Sequence, residues 1–287
     1  KPICLILNTV MGNGVDFMMG TNEWHGKPLN DEQLEKALSQ NKETIKDAIN
    51  SVLFQTYEDI EYIVVDGNSS DGTIEIIKSY GNKITKFVSE KDKGIYDGLN
   101  KGISLAIGDI VAFLHSDDIY ASDSIIEEIS KVFKSDESLD GIYGDLVYTS
   151  KNDTSKVLRY WKSKKFYKNL LSKGWMPAHP TFFLKRKVYE KYGNFDLDFK
   201  IAADYDFMLR VLKSGIKVEY IPKVLYKMRV GGESNKSIKN IILKSKEDLK
   251  ALKRNKVGGI FTLIIKNLSK IKQFINKKGK IKWQNKK

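Results

Sequence analysis

The chain has 287 residues, with 49 Lys plus Arg against 36 Asp plus Glu for a net charge of +13, and a single cysteine. At 41% hydrophobic and 11% aromatic it can bury a full core, which excludes a disordered chain, and its length allows one large domain or two small ones. A lone Cys4 cannot close an internal disulfide, no apolar run reaches the roughly 18–20 residues that cross a bilayer, and the first residues carry no basic-then-apolar leader, so a cytoplasmic protein, soluble or peripheral, is expected.

In chain order, Ile3 to Val10 is an apolar, β-prone run that reads as a buried strand. Glu43 to Phe54 has helical spacing, with Ile45, Ala48, Ile49, Val52 and Leu53 on one side and Asn41 available as an N-cap. Ile60 to Val65 (IEYIVV) is a second strand, ending at Asp66 and the turn-rich GNSSDG. Thr73 to Tyr80 follows as a short helix, Lys86 to Ser89 as a strand and Asp97 to Ala106 as a helix; Asp109 to His115 (DIVAFLH) is a strand running into Ser116, Asp117 and Asp118. Such alternation predicts an α/β fold with a doubly wound, Rossmann-like sheet, whose ligands sit at the carboxyl ends of the strands.

Ser124 to Phe133 reads as a helix and Gly141 to Tyr148 as a strand. Residues 149–200 are polar, aromatic and loop-rich; a helix over Ala203 to Leu212, a strand over Val218 to Ile221 and a Gly-Gly loop over Tyr226 to Ser234 come after them. This second half is expected to wall a pocket over the sheet. The division is therefore a domain over 1–235, in two halves (1–148 and 149–235), followed by a helical tail over 236–287.

Charge is concentrated in that tail. Lys236 to Lys287 holds 17 basic residues against Glu247 and Asp248 alone, leaving 32 basic and 34 acidic residues in the rest. Between Ile260 and Ile275, helical spacing puts Phe261, Ile264, Ile265, Leu268, Ile271 and Ile275 on one face and Lys266, Lys270, Lys272 and Asn276 on the others. A basic amphipathic helix of this kind can lie on an anionic membrane surface, or pack on the body with its lysines in solvent. A polyanionic partner would concern the tail only; a nucleic-acid grip would account for the tail but not for the acids of the body.

Those acids are the chemical signal. Asp66 ends one strand, and Asp117 with Asp118 ends another. Adjacent buried carboxylates repel and lose hydration, so they need a cation or hydrogen-bond donors opposite; a hard divalent ion shared with substrate phosphates meets that need. The alternative is that Asp117 and Asp118 cap the helix that follows. With three histidines and one cysteine, a structural zinc site is not expected.

Gln55-Thr56-Tyr57, EYIVVDGNSSDGT (61–73), SEKDKGIYDGLNKG (89–102) and GDIVAFLHSDD (108–118), with His179-Pro180-Thr181-Phe182-Phe183, Ala203-Asp204-Tyr205-Asp206 and Arg229-Val230-Gly231-Gly232-Glu233-Ser234, together resemble family 2 glycosyltransferases of the GT-A fold. The likeness covers roughly residues 41–235 in family order and spacing. It implies a GT-A-like mixed sheet, a catalytic domain over 1–235 with 1–148 as its nucleotide-sugar-binding half and 149–235 as its acceptor half, and roles for matching residues. Asp66 would contact the donor base with Thr9 lining the same pocket, Asp117 the ribose or sugar, and Asp118 a divalent ion, Mn²⁺ or Mg²⁺, bridging the diphosphate. Asp204 would be the general base; Ala203 stands where the family usually has glutamate, so Asp206 stays open beside it. Asp97 and Asn100 fall in a donor-side segment.

Inverting sugar transfer needs a base for the acceptor hydroxyl proton, a metal for the developing diphosphate charge and a pocket aligning both substrates. Arg229 beside two glycines suits the leaving phosphates, or is a solvated loop arginine. His179 lines the acceptor site or is structural; Trp175 stacks on a sugar or packs in the core. The expected function is metal-dependent inverting transfer from a nucleotide-sugar, a UDP-sugar first, to a glycan or lipid-linked acceptor in envelope polysaccharide synthesis, at the inner face of the membrane and without a nucleic-acid partner. A nucleotidyltransferase would need a basic Gly-rich loop after the first strand, and Met11 to Gly14 has no Lys or Arg. One departure is large: 14–40 is inserted after the first strand, with a helical stretch over Asp31 to Leu38, and would be a lid over the donor pocket or an obstruction that inactivates it.

Overall fold

Strand β1 (Ile3–Thr9) sits in the middle of a parallel quartet with β2 (Ile60–Asp66), β3 (Lys86–Ser89) and β4 (Ile110–His115), in the order β3-β2-β1-β4. The computed structural model describes residues 2–9, 31–230 and 238–275. The helices of this half are α1 (Asp31–Leu53), α2 (Thr73–Ser79), α3 (Ile95–Leu105) and α4 (Ile125–Ser135), the last preceded by the two-residue strand β5 (Ile119–Tyr120). The second half adds β6 (Gly141–Thr149), β7 (Val157–Trp161), β8 (Phe183–Lys185), α5 (Arg186–Tyr192), α6 (Ala203–Lys213) and β9 (Val218–Arg229), and the chain continues into α7 (Ile238–Arg254) and α8 (Ile260–Ile275).

Among the described residues nine strands form one mixed sheet; β8 joins antiparallel to both β4 and β6, β9 runs parallel to β6, and β7 and β5 pair antiparallel with β6 and β9. The apolar runs read as buried strands are buried on both faces, as parallel strands covered by helices must be. Because side chains alternate along a strand, Ile3, Leu5 and Leu7 meet α1, α2 and α4, while Cys4 and Ile6 meet α3 and the α5–α6 layer. Each of these five is 0% exposed and contributes roughly 2 kcal/mol of burial. Gly102 of α3 is what lets that helix cross β1 so closely: a Cβ there would fall 2.3 Å from an Ile6 methyl.

Three expectations need correction. Helix α1 is continuous from Asp31 to Leu53, so Asn41 is an internal residue and not an N-cap. No Gly or Pro interrupts this stretch and Leu, Glu, Lys, Ala and Gln propagate a helix well; residues 31–40 of the supposed insertion are its first turns, and 14–30, with Phe17, Met18, Met19 and Trp24, lie outside the described residues. The strand predicted over Val218 to Ile221 runs on to Arg229, where a loop was expected from Tyr226. Pro222 sits where the β6–β9 register shifts, between Tyr143↔Tyr220 and Asp145↔Val224, so its missing N–H breaks no regular ladder. Gly144 faces this irregularity, and a Cβ there would meet Leu225 at 2.5 Å.

The third concerns the tail. Ala251 and Leu252 of α7 are 0% exposed and part of the main core, so packing does not stop at residue 235. Lys266 of α8, expected in solvent, is buried: it pairs with Asp248 at 2.7 Å and lies 3.2 Å from the centroid of the Tyr205 ring. Burial lowers its ammonium to about 8 against the opposing pull of Asp248. The helix is thus seated by its polar side, through Lys266 and the Thr262 hydroxyl on Ser172 O at 2.9 Å, while Phe261, Ile264, Ile265 and Leu268 face outward.

Candidate active site

The parallel quartet reverses its winding between β1 and β4, and ligands of open α/β sheets bind at such a switch, outside the strand carboxyl ends. Register places the relevant residues in one row: Ser89 pairs with Asp66, Asp66 with Thr9, and Asn8 with His115. Asp66 is fully buried, and its carboxylate accepts the Ser69 N–H at 3.0 Å, the Ser69 hydroxyl at 2.6 Å and the Ser89 hydroxyl at 2.6 Å. It therefore organises the turn after β2 through Ser69, the first serine of GNSSDG. Thr9 enters through its backbone pairing with Asp66.

After β4 the chain turns tightly, Asp118 N–H donating to His115 O at 3.0 Å. Asp117 and Asp118 precede β5 and not a helix, since α4 begins only at Ile125; helix capping does not explain them. The end of β9 clamps this turn. Arg229 donates its backbone N–H to Asp118 Oδ1 at 2.9 Å and its guanidinium to Asp117 O at 2.6 Å, Lys151 O at 3.0 Å and the Asp47 carboxylate of α1. A guanidinium so occupied, in a residue 5% exposed, acts as a buttress of the acidic turn; neither a solvated loop residue nor an unengaged cation describes it. Asp118 itself is buried, and loss of hydration, followed by the charge of Asp117, holds its carboxyl well above the ordinary range against the opposing Arg229.

Asp204 comes from the other half of the chain. It is the second residue of α6, half-buried, and its Oδ1 accepts the Tyr205 N–H at 2.8 Å and lies 3.0 Å from the Tyr96 hydroxyl, which also reaches Ile201 O at 2.7 Å. The Tyr96 phenol is pushed well above its usual value, first by burial and then by the Asp204 charge. Asp206 points elsewhere: it is 1% exposed, takes the Asn255 amide at 2.8 Å and pairs with Arg210 at 3.5 Å. Of the two acids left open by the sequence, Asp204 is the one on the side of the acidic turn: the charges of Asp117 and Asp204 both act on His115, and those of Asp118 and Asp204 both act on Tyr148.

His179 packs between Phe113 and Phe195, with centroids 5.5 and 5.3 Å away, and its buried Nε2 has no hydrogen-bond partner. Burial lowers it to about 4, Asp204 opposing. The sign of the consequence follows: below about pH 6.5 the unfolded chain takes up a proton that the folded chain refuses until about 4, so stability falls across that window by up to about 3 kcal/mol. In urea titrations His179→Leu should lose less stability than the parent between pH 7 and pH 4.5; an equal loss would remove His179 from the effect.

The remaining predicted residues make contacts within the protein. Asp97 accepts the Lys93 N–H at 2.9 Å in the first turn of α3, and Asn100 exchanges two bonds with the Phe195 backbone, at 2.8 and 3.0 Å. Trp175 stacks on Phe166 at 6.0 Å and meets Tyr143 edge-on. His115, Tyr96, Tyr148 and Arg159, whose guanidinium lies 4.7 Å from the Tyr148 ring centre, were not singled out from the sequence. Tyr96 and His115 carried a signal, their places inside SEKDKGIYDGLNKG and GDIVAFLHSDD; Tyr148 and Arg159 carried none. A separate cleft of about 370 Å³ between Asp109, Phe133, Lys134 and Arg186 lies at the opposite end of β4 from this turn.

Known proteins resemble the chain in the same region. A family model described as glycosyl transferase family 2 matches residues 39–193. A PGL/p-HBAD biosynthesis glycosyltransferase of Mycobacterium bovis is 28% identical over 230 residues, spanning 76% of this chain and 82% of the relative. An uncharacterized glycosyltransferase of Rickettsia typhi is 32% identical over 193 residues, 65% of this chain and 59% of that one. Among solved structures, S. aureus TarS 1–349 in complex with UDP-GlcNAc aligns with a TM-score of 0.62 at 15% identity, over 90% of this chain and 66% of that one. The mannosyltransferase PcManGT from Pyrobaculum calidifontis, in complex with GDP-Man and Mn²⁺, aligns at 0.57 and 16% identity, over 91% and 67%. These two likenesses establish the GT-A type of fold, and the chain spans about two thirds of the length of either structure.

Proposed function

This chain belongs to glycosyl transferase family 2, and from that membership we propose that it is an inverting transferase moving a sugar from a nucleotide-diphosphate donor, a UDP-sugar first, to a hydroxyl of a glycan or lipid-linked acceptor in cell-envelope polysaccharide synthesis. The observation that carries this reading is Asp204 on the same side as the Asp117–Asp118 turn, from opposite halves of the chain, at the switch point of the sheet. In one displacement Asp204 takes the acceptor hydroxyl proton, the acceptor oxygen bonds to the anomeric carbon, and the bond from that carbon to the diphosphate breaks, its electrons leaving with the nucleotide. Asp66 and Thr9 are read as the base end of the donor pocket, Asp117 as its ribose and sugar side, and His179 as the acceptor wall; Asp97, Asn100 and Trp175 support it through the contacts given above.

A divalent ion, Mn²⁺ or Mg²⁺, fits this turn. Asp118 is a buried carboxyl whose charge is opposed by burial and by Asp117, and the nearest guanidinium is committed to Asp47 and two carbonyls. Among the described residues no three acidic, histidine or cysteine side chains converge on a metal, so the ion would be held by Asp118 together with the donor phosphates, as such ions usually are. Bound there, it would stabilise the charge developing on the departing diphosphate. The test is nucleotide release from a panel of UDP- and GDP-sugars with and without Mn²⁺ or Mg²⁺: metal-dependent release from at least one is expected, and release from none would overturn the reading.

The membrane partner is read from α7 and α8. No described helix is long and apolar enough to cross a membrane. On α8, Phe261 is 80% exposed, with Ile260, Ile264, Ile265 and Leu268 around it, and Ile241 and Ile242 of α7 are half exposed. The two acids of the tail, Glu247 and Asp248, are both turned inward, so among the described residues these helices present apolar, neutral polar and cationic side chains outward and no acid. Against a second copy this face would set like charge on like; an anionic bilayer at the cytoplasmic side answers both of its properties. Phe261→Glu with Leu268→Glu should cut co-flotation with phosphatidylglycerol vesicles at least tenfold, and undiminished flotation would count against the anchor.

A further inference from the structure

Helix α6, which carries Asp204, lacks the usual cap: its N-cap residue is Ala202, whose side chain has no atom to accept a bond from the exposed amides. The anion comes instead from 45 residues downstream. Glu247 of α7 is buried, its Oε1 accepting the Lys200 N–H at 2.9 Å and its Oε2 accepting the Ile201 N–H at 2.8 Å and the Ala202 N–H at 2.9 Å. One carboxylate thus closes three consecutive amides immediately before the helix, where charge-assisted bonds and the helix dipole both favour a negative group. The Tyr96 hydroxyl holds the middle one of these residues as well, reaching Ile201 O at 2.7 Å, and lies 3.0 Å from Asp204 Oδ1.

The neighbouring contacts reinforce this lever. Phe199, just before the gripped residues, lies under the cations of Lys250 and Arg254 of α7. Asp248, next to Glu247, holds Lys266 against the Tyr205 ring, one residue after Asp204. Two adjacent acids of α7 are therefore tied to the residues on both sides of Asp204, Glu247 through the backbone amides before it and Asp248 through Lys266 on the Tyr205 ring after it.

We propose that Glu247 is a positioning residue for Asp204, so that the C-terminal helices are an integral part of the catalytic apparatus as well as its outer surface. The proposal rests on Asp204 being the base. A carboxylate in a displacement reaction has to be aimed within a fraction of an ångström, and misplacement by about 1 Å costs on the order of 10²-fold. Without the anion, three amides lose their acceptor and the residues leading into α6 shift toward other partners, carrying Asp204 with them. Donor binding, built at the ends of β2 and β4, is not part of this linkage.

The experiment compares the full chain with Glu247→Gln, Glu247→Asp, Asp204→Asn and the double variant Asp204→Asn/Glu247→Gln, using the sugar nucleotide that the release screen selects, and follows amide hydrogen exchange at residues 200–202. Glu247→Gln should exchange faster at those amides and lose 10- to 100-fold in kcat, with the donor KM within about twofold of the parent. Glu247→Asp, which keeps the charge, should recover part of the rate and serves should the glutamine variant fold poorly. In the Asp204→Asn background the Glu247 substitution should cost nothing further, because its effect passes through the group already removed; a merely structural loss would multiply. Parent-like kcat in both Glu247 variants, or full additivity in the double variant, overturns the proposal while leaving Asp204 as the base. An Asp204→Asn variant as fast as the parent, or a parent that releases nucleotide from no donor, overturns both readings together.

Discussion

Asp204→Asn should reduce sugar transfer by about 10²- to 10⁴-fold, the usual worth of a positioned base, while UDP binding in the presence of Mn²⁺ stays within about twofold. Asparagine keeps the oxygen that accepts the Tyr205 N–H at 2.8 Å, so α6 retains its first turn and the Tyr96 hydroxyl its neighbour. What disappears is the ability to take a proton. Turnover and calorimetry on the same preparation separate the two effects. A variant that turns over like the parent would remove Asp204 from the chemistry, and the half-buried carboxylate would then be no more than part of the α6 terminus.

Asp118→Asn should abolish metal-dependent nucleotide binding, with UDP affinity in Mn²⁺ falling at least tenfold to the level measured in a chelator. The buried residue keeps an oxygen for the Arg229 N–H, so the clamp on the turn survives. Its stability moves the other way. A carboxyl held above its ordinary range favours the fold at low pH and loses that contribution as pH rises through its folded value, so at pH 7 removing the charge should raise the melting temperature. Mn²⁺ should raise that temperature in the parent and not in the variant. If both respond to Mn²⁺ alike, the ion sits elsewhere. Asp204→Asn and Asp118→Asn together therefore divide the site into a part that takes the proton and a part that holds the donor.

The helices and strands of the first half were legible because their signals are local. Five consecutive apolar residues, Ile3 to Leu7, are buried on both faces of the sheet, and IEYIVV and DIVAFLH end where polar turn residues begin. Boundaries failed where the local signal was misleading. Asn41 reads as a cap yet lies within α1, since good helix formers on either side cost less to continue than to stop. Lys223, Lys227 and Pro222 disguise β9, whose existence depends on β6 beside it. Lys266 reads as a solvated lysine because its partner Asp248 and the Tyr205 ring are distant in sequence.

Residue types and order by themselves determined that the chain is a family 2 glycosyltransferase with an acidic turn after its fourth strand and a further acid at the start of a later helix. Strand periodicity and turn composition depend only on neighbours, and a motif survives without its surroundings. Which of the two acids is sequestered in the interior, what Arg229 bonds to and where the basic tail packs were decided by tertiary structure alone. Asp204 and Asp206 differ only in the face of α6 they occupy; Arg229 is placed by Asp47, Lys151 and Asp117, contributed by three other segments. The tail's charge suggested an appendage, but charge is a sum over residues and burial is a property of their arrangement. Its two acids face inward, and Glu247 closes the amides ahead of Asp204.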